Sequence, residues 1–167
     1  MRQAMLKGLC LLGVLAGIGS ASAEGVVQAR LMSLELSRDI AQAAVEACRE
    51  DGYQVSVVIL DRSGVPQMVM RDVFAPPSTL DIATRKARAT VLSRTASGEF
   101  RENRPELAPA LNNLGDLLVL RGAMPITAAG QFIGAVGVSG APGGDLDEAC
   151  ARNGLEAVQD RLSFAEF

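Results

Sequence analysis

The chain has 167 residues, with 16 basic and 19 acidic side chains, no histidine and no tryptophan. An acidic balance argues against nucleic acid as the main partner, because phosphate backbones are bound by concentrated positive charge. Without histidine the usual acid/base at neutral pH and the commonest metal ligand are both missing, which excludes His-based catalytic triads and zinc sites of the usual kinds.

The first residues read as a secretory leader. Arg2 and Lys7 form a positive start, Gly8 to Gly19 is apolar but short for a bilayer span, and Ala21-Ser22-Ala23 fits small-x-small cleavage. Cleavage after Ala23 predicts a periplasmic or secreted protein of 144 residues with a net charge of −5 and no membrane span. That length suits one domain over 33–167, preceded by an arm at 24–32. Cys10 lies at the start of the apolar run, so a lipid anchor is not expected. Cys48 and Cys150 remain, each in a predicted helix; they either bridge, in an oxidising compartment, or stay as two buried thiols.

Ser33 is the expected N-cap of a helix to about Glu50, with Leu36, Ile40, Ala44 and Cys48 recurring every four residues and Gly52 as its stop. Tyr53 to Leu60 predicts a strand, Asp61 to Gly64 a turn, and Val65 to Arg71 the returning strand of a hairpin, with Pro66 at its entry. After Phe74-Ala-Pro-Pro77, Ser78 is placed to cap a second helix to about Thr95, with Asp81 at the capping-box position. Arg85, Lys86, Arg88 and Arg94 make that helix basic. They read either as a solvated face or as an anion-binding or salt-bridged surface. Lys86 between Arg85 and Arg88 is also a candidate nucleophilic amine.

Ser97 to Asn103 predicts a short helix ended by Pro105, followed by loop and turn chemistry through Pro109 and Asn112 to Asp116. Leu117 to Leu120, Gly122 to Thr127 and Phe132 to Ser139 are further strand candidates, the last two joined at Ala128 to Gln131. Small residues Gly134, Ala135 and Gly137 thin one strand, where a helix, another subunit or a ligand can approach; a helix is the simplest occupant. Asp145 and Glu148 have capping-box spacing at the start of a last helix running from Leu146 to about Arg161, with Leu155 and Val158 pointing inward. The glycines of 140–144 offer backbone amides to an anion, but Asp145, Asp147 and Glu148 already supply negative charge there. No Lys-Ser/Thr follows as a phosphate-gripping loop requires. Hairpin connections make this an α+β layered domain with about five antiparallel strands.

Val136-Gly-Val-Ser-Gly-Ala-Pro-Gly-Gly-Asp-Leu-Asp-Glu-Ala-Cys-Ala-Arg152 resembles the GlcG/HbpS-like haem-binding family, related to the C-terminal domain of PduO-type adenosyltransferases. The likeness extends to Val57 to Gly64, to Ile82 to Thr90 and to Gly122 to Ile126, and so spans nearly everything from Leu31 onward. It implies a single-domain antiparallel sheet with helices on both faces, homo-oligomers, and haem or a related tetrapyrrole as ligand for some members. This sequence departs from it in lacking histidine for axial ligation, and in having Gly122-Ala123 where relatives often carry two glycines.

If haem binds, Met70, Met124 and Tyr53 are the available axial donors, with Met68 behind them, besides cysteine, threonine oxygen or water. Arg71, Arg85, Lys86 and Arg88 are the available propionate partners. Each methionine competes with a core-filling role, and Tyr53 with a packed strand edge. No Cys-x-x-Cys-His sequence exists for thioether attachment. The expected function is ligand binding, with haem leading. The alternatives are an enzyme or accessory protein acting on a small anionic metabolite through Lys86, and an oligomeric scaffold. A ligand site is expected where the basic helix and the 95–116 segment approach the strand at 132–139.

Overall fold

The computed structural model describes residues 29–164 together with Gly25 and Val27. The leader expected at 1–23 lies outside the described residues. In chain order the elements are α1 (Leu34–Glu50), β1 (Ser56–Asp61), β2 (Pro66–Arg71), α2 (Ser78–Ser93), α3 (Ser97–Asn103), α4 (Ala108–Asn112), β3 (Ala123–Ala128), β4 (Gln131–Ser139), α5 (Gly144–Glu156) and α6 (Gln159–Ser163). None of the described helices is long and apolar enough to cross a membrane.

The strands form one antiparallel sheet in the order β2-β1-β4-β3. Among the described residues it has four strands, where about five were expected. Leu117 to Leu120 is apolar enough to pass for a strand, but its amides go elsewhere. Leu118 N–H donates to Arg85 O (3.1 Å) and Val119 N–H to Asn112 Oδ1 (2.7 Å), so the segment docks on α2 and α4.

Local chemistry explains most boundaries. Ser33 Oγ accepts the Leu36 N–H at 3.1 Å and starts α1 as its sequence requires. Asp61 Oδ1 accepts from Ser63 N (2.8 Å) and Val65 N (2.9 Å), closing the first hairpin, and Pro66 opens the edge strand. Ala129 (φ 44°) and Gly130 (φ 78°) both have positive φ, the backbone of a two-residue hairpin turn matched to strand twist.

Several ends differ from expectation. The first strand begins at Ser56, three residues after Tyr53. Ser78 is the first residue of α2, and Pro77 holds the cap position without a side-chain bond; Thr79 Oγ1 donates back to Pro76 O (2.7 Å). The helix ends at Ser93, followed by Arg94 in the left-handed region. Pro109 sits in the first turn of α4, where its missing N–H is tolerated. The last helix is broken at Ala157 and Val158, so that Val158 and Leu162 both turn into the core.

Alternate residues of β1 enter two apolar clusters. Val57 and Ile59 join Ile40, Ala44 and Cys48 of α1, Val136 and Val138 of β4, and Cys150 and Ala151 of α5. Val58 and Leu60 join Ala135 and the Ala83 and Ala87 of α2. Cys48 and Cys150 are bridged, with Cα atoms 5.4 Å apart. Buried Asp72 accepts from Val55 N (3.1 Å) and pairs with Arg49, tying the end of β2 to α1.

The thin part of β4 is occupied by α2. A Cβ on Gly137 would lie 2.2 Å from Ala83 O and 2.9 Å from Ala87 Cβ. Because the opposing atom is helix backbone, Gly137→Ala is expected to cost about 3 kcal/mol, at the upper end for overpacking. Urea unfolding measures it; a loss below about 0.5 kcal/mol would show that α2 can withdraw without strain.

Candidate functional site

The basic helix α2 does not present all of its charges to solvent. Lys86 is 1% exposed. It shares a side of the helix with Ala83 and Thr90, three and four residues away, and this small-residue stripe lies against β4. Lys86 Nζ donates to Asp147 Oδ2 (2.7 Å) and to Val138 O (3.1 Å). Gly122, at φ 124°, leaves room for the ammonium: a Cβ there would stand 2.6 Å from Nζ. The amine is therefore tied up by a carboxylate and a carbonyl inside the fold, which removes the geometric basis for a nucleophile at Lys86.

The acids at the start of α5 also do something other than capping. Gly143 holds the N-cap position with no side-chain bond, and Asp145 is merely in the first turn. Asp147 turns inward, its Oδ1 accepting Ala141 N–H at 3.0 Å while Oδ2 meets Lys86. Burial pushes the Asp147 carboxyl above the ordinary carboxylate value, against the downward pull of Lys86 and the turn amides. Glu148, also buried, accepts Gly98 N–H at 3.1 Å and lies 3.5 Å from Arg121 Nη1 and 3.8 Å from Arg152 Nη2. Arg121 pairs in turn with Glu102. This network joins α2, α3, the 117–122 segment and α5 around the end of β4.

That frame holds one wall of a cleft of about 560 Å³. Its lining comes from Arg101 of α3, from Pro105, Ala108, Pro109 and Asn112, and from Leu118, Val119 and Leu120. The volume falls within the range of small-molecule sites, and a mainly apolar lining with a few polar groups is their usual composition. The Arg101 guanidinium has no ion pair or hydrogen bond among the described residues. The cleft lies beside the 95–116 segment, and Arg85 fixes it through Nη2 to Leu117 O (3.2 Å).

The sequence candidates do not converge. Tyr53, Met68, Met70 and Met124 all pack against the cluster built on α1 and α5. Arg71 spends its guanidinium on the Asp72 and Ala75 carbonyls, anchoring the loop after β2. Arg85 also faces Asp81 at 3.8 Å. Arg88 lines a separate hollow with Ser63, Gly64 and Asp116. Arg101 and the apolar wall at 118–120 were not among the candidates; an arginine four residues before the Pro105 turn was the available signal. No group of three or more metal-ligating side chains is assembled among the described residues.

A family model described as haem degrading protein HbpS-like matches residues 32–156. Protein GlcG of Escherichia coli K12 is 29% identical over 109 residues, covering 65% of this chain and 81% of that protein. The crystal structure of a double mutant of Streptomyces reticuli HbpS is 37% identical, with a TM-score of 0.76 over 83% of this chain and 94% of that one. A PduOC:heme complex is 25% identical, with a TM-score of 0.70 over 77% of this chain and 95% of that one.

Proposed function

Because the chain belongs to the HbpS-like family, we propose that it is an exported protein that binds haem or a closely related tetrapyrrole. The observation that carries the reading is the 560 Å³ cleft with apolar walls and the unpaired Arg101 at its rim, in a chain similar to a PduOC:heme complex. Apolar side chains suit the macrocycle face and a guanidinium suits a propionate. The fit stops at the iron: no Met, Cys or Tyr lines the cleft, so it offers no axial side chain of those kinds. Haem, when bound, supplies redox chemistry at its iron. The chain's own part is to shelter a face and neutralise a carboxylate.

Export is supported by the leader pattern at 1–23 and by the Cys48–Cys150 bridge, which suits an oxidising compartment. Self-association is supported by the edge strand β2, which exposes Val69 and is preceded by exposed Val65 and followed by exposed Val73 and Phe74.

Hemin titration followed in the Soret region is expected to show saturable binding at micromolar protein. Arg101→Glu should weaken it by about tenfold, since a propionate would then face a like charge. Met70→Leu and Met124→Leu should leave the spectrum unchanged, because both side chains pack in the other cluster. The absence of any saturable Soret change in the parent protein would overturn the reading.

A further inference from the structure

A further hollow, smaller than the cleft, lies at the end of the sheet where three chain reversals meet. It has a volume of about 330 Å³ and is lined by Arg62 from the β1–β2 turn, Arg94 just after α2, and Gly130, Gln131 and Phe132 from the β3–β4 turn. These elements are brought together by register, since β1 and β4 pair down to Asp61 opposite Gly134. No acidic side chain lines the hollow. The nearest acid in sequence, Asp61, has its Oδ1 committed to the amides of its own turn.

Neither guanidinium makes a hydrogen bond or ion pair among the described residues. Arg94 is nevertheless held in position. Its backbone N–H closes α2 on Thr90 O (2.7 Å), its φ is 57°, and its guanidinium carbon stands 5.7 Å from the centre of the Phe132 ring. Left-handed backbone favours glycine, so an arginine there is retained against its local preference. A cation–π contact uses the face of the guanidinium and none of its in-plane N–H donors, which stay available to an oxyanion.

We propose that Arg62 and Arg94 form a binding site for a small oxyanion-bearing molecule, the two forks gripping one carboxylate or phosphate group beside Phe132. Two guanidiniums in a chain of net negative charge make a local positive spot, and planar donors match both oxyanion types. The site is separate from the haem cleft: the two share no lining residue.

Calorimetric titration of the purified protein with pyrophosphate and, separately, with citrate tests it. Saturable binding of at least one is expected. Arg62→Ala with Arg94→Gly should weaken it about tenfold or more. The variant should fold as well as the parent, since Arg62 is on an exposed turn and glycine suits the backbone at Arg94. Binding by pyrophosphate alone assigns the phosphate class, and binding by citrate alone the carboxylate class. Failure of both to saturate, or equal binding by the double variant, overturns the proposal. Hemin titration of the same variant should match the parent. If hemin affinity fell with these substitutions, the arginines would belong to the haem site and the separate site would be refuted, whereas hemin failure in the parent alone would bear only on the cleft.

Discussion

Lys86→Met is expected to destabilise the protein by about 3–5 kcal/mol at neutral pH, because it strands the Asp147 carboxylate in the interior. Both side chains are nearly inaccessible, at 2% and 4%, so water cannot replace the lost partner cheaply. Adding Asp147→Asn should recover at least about half of that loss, since the amide oxygen still accepts the Ala141 N–H without a charge. The pH dependence has a definite sign. Burial already raises the Asp147 carboxyl above 3.8 in the fold, and removal of the ammonium raises it further. The folded variant therefore holds a proton over a window from about 3.8 upward in which the unfolded chain has released it. Its stability rises as pH falls through that window, and its deficit against the parent narrows. Urea unfolding at pH 7 and near pH 4.5 measures both effects; a single-substitution loss under about 1 kcal/mol at pH 7 would refute the buried-pair account.

Reducing the Cys48–Cys150 bridge, or replacing both cysteines by alanine, should cost about 2–5 kcal/mol. The two cysteines are 102 residues apart, and closing a ring of that size removes a large part of the unfolded chain's freedom. The expected readout is a lower urea midpoint after treatment with dithiothreitol, with the alanine pair insensitive to the reagent. A midpoint unchanged by reduction would mean that α1 and α5 are held by packing alone. The alanines leave small voids among Ala44, Val45 and Ala151, so the double variant separates the missing bond from the missing sulfur volume when compared with the reduced parent.

Legibility followed the range of the interaction. The Ser33 cap and the Asp61 to Gly64 turn are set by contacts within a few residues, so their residues could be read directly. The α+β class and the family followed from hairpins and motif order. Leu117 to Leu120 misled because apolarity does not say which partner takes an amide; here the partners are Arg85 and Asn112. Lys86 misled for the same reason on a longer scale: its counter-ion lies 61 residues away. A signal was present in its neighbours, since Ala83, Ala87 and Thr90 mark the side of α2 that could lie closest to another backbone. Three acids at the start of α5 likewise exceeded what a cap needs, and the surplus pair, Asp147 and Glu148, is what the interior uses. The proposed cleft was legible in its neighbourhood, the 95–116 segment, and not in its residues. Tyr53, Met68, Met70 and Met124 have metal-donor chemistry, and the fold packs them on another cluster.

The bridge also fixes how the molecule would respond to cutting and pulling. Every strand, α2, α3 and α4 lie inside the covalent ring from Cys48 to Cys150, and only α1, α5 and α6 lie partly or wholly outside it. A protease that cuts once in the exposed 104–116 stretch therefore releases no fragment until the sulfurs are reduced. Tension applied at the two chain ends would run from α1 through the sulfurs into α5 and bypass the sheet, so the sheet and the cleft are mechanically insulated from whatever the termini are attached to.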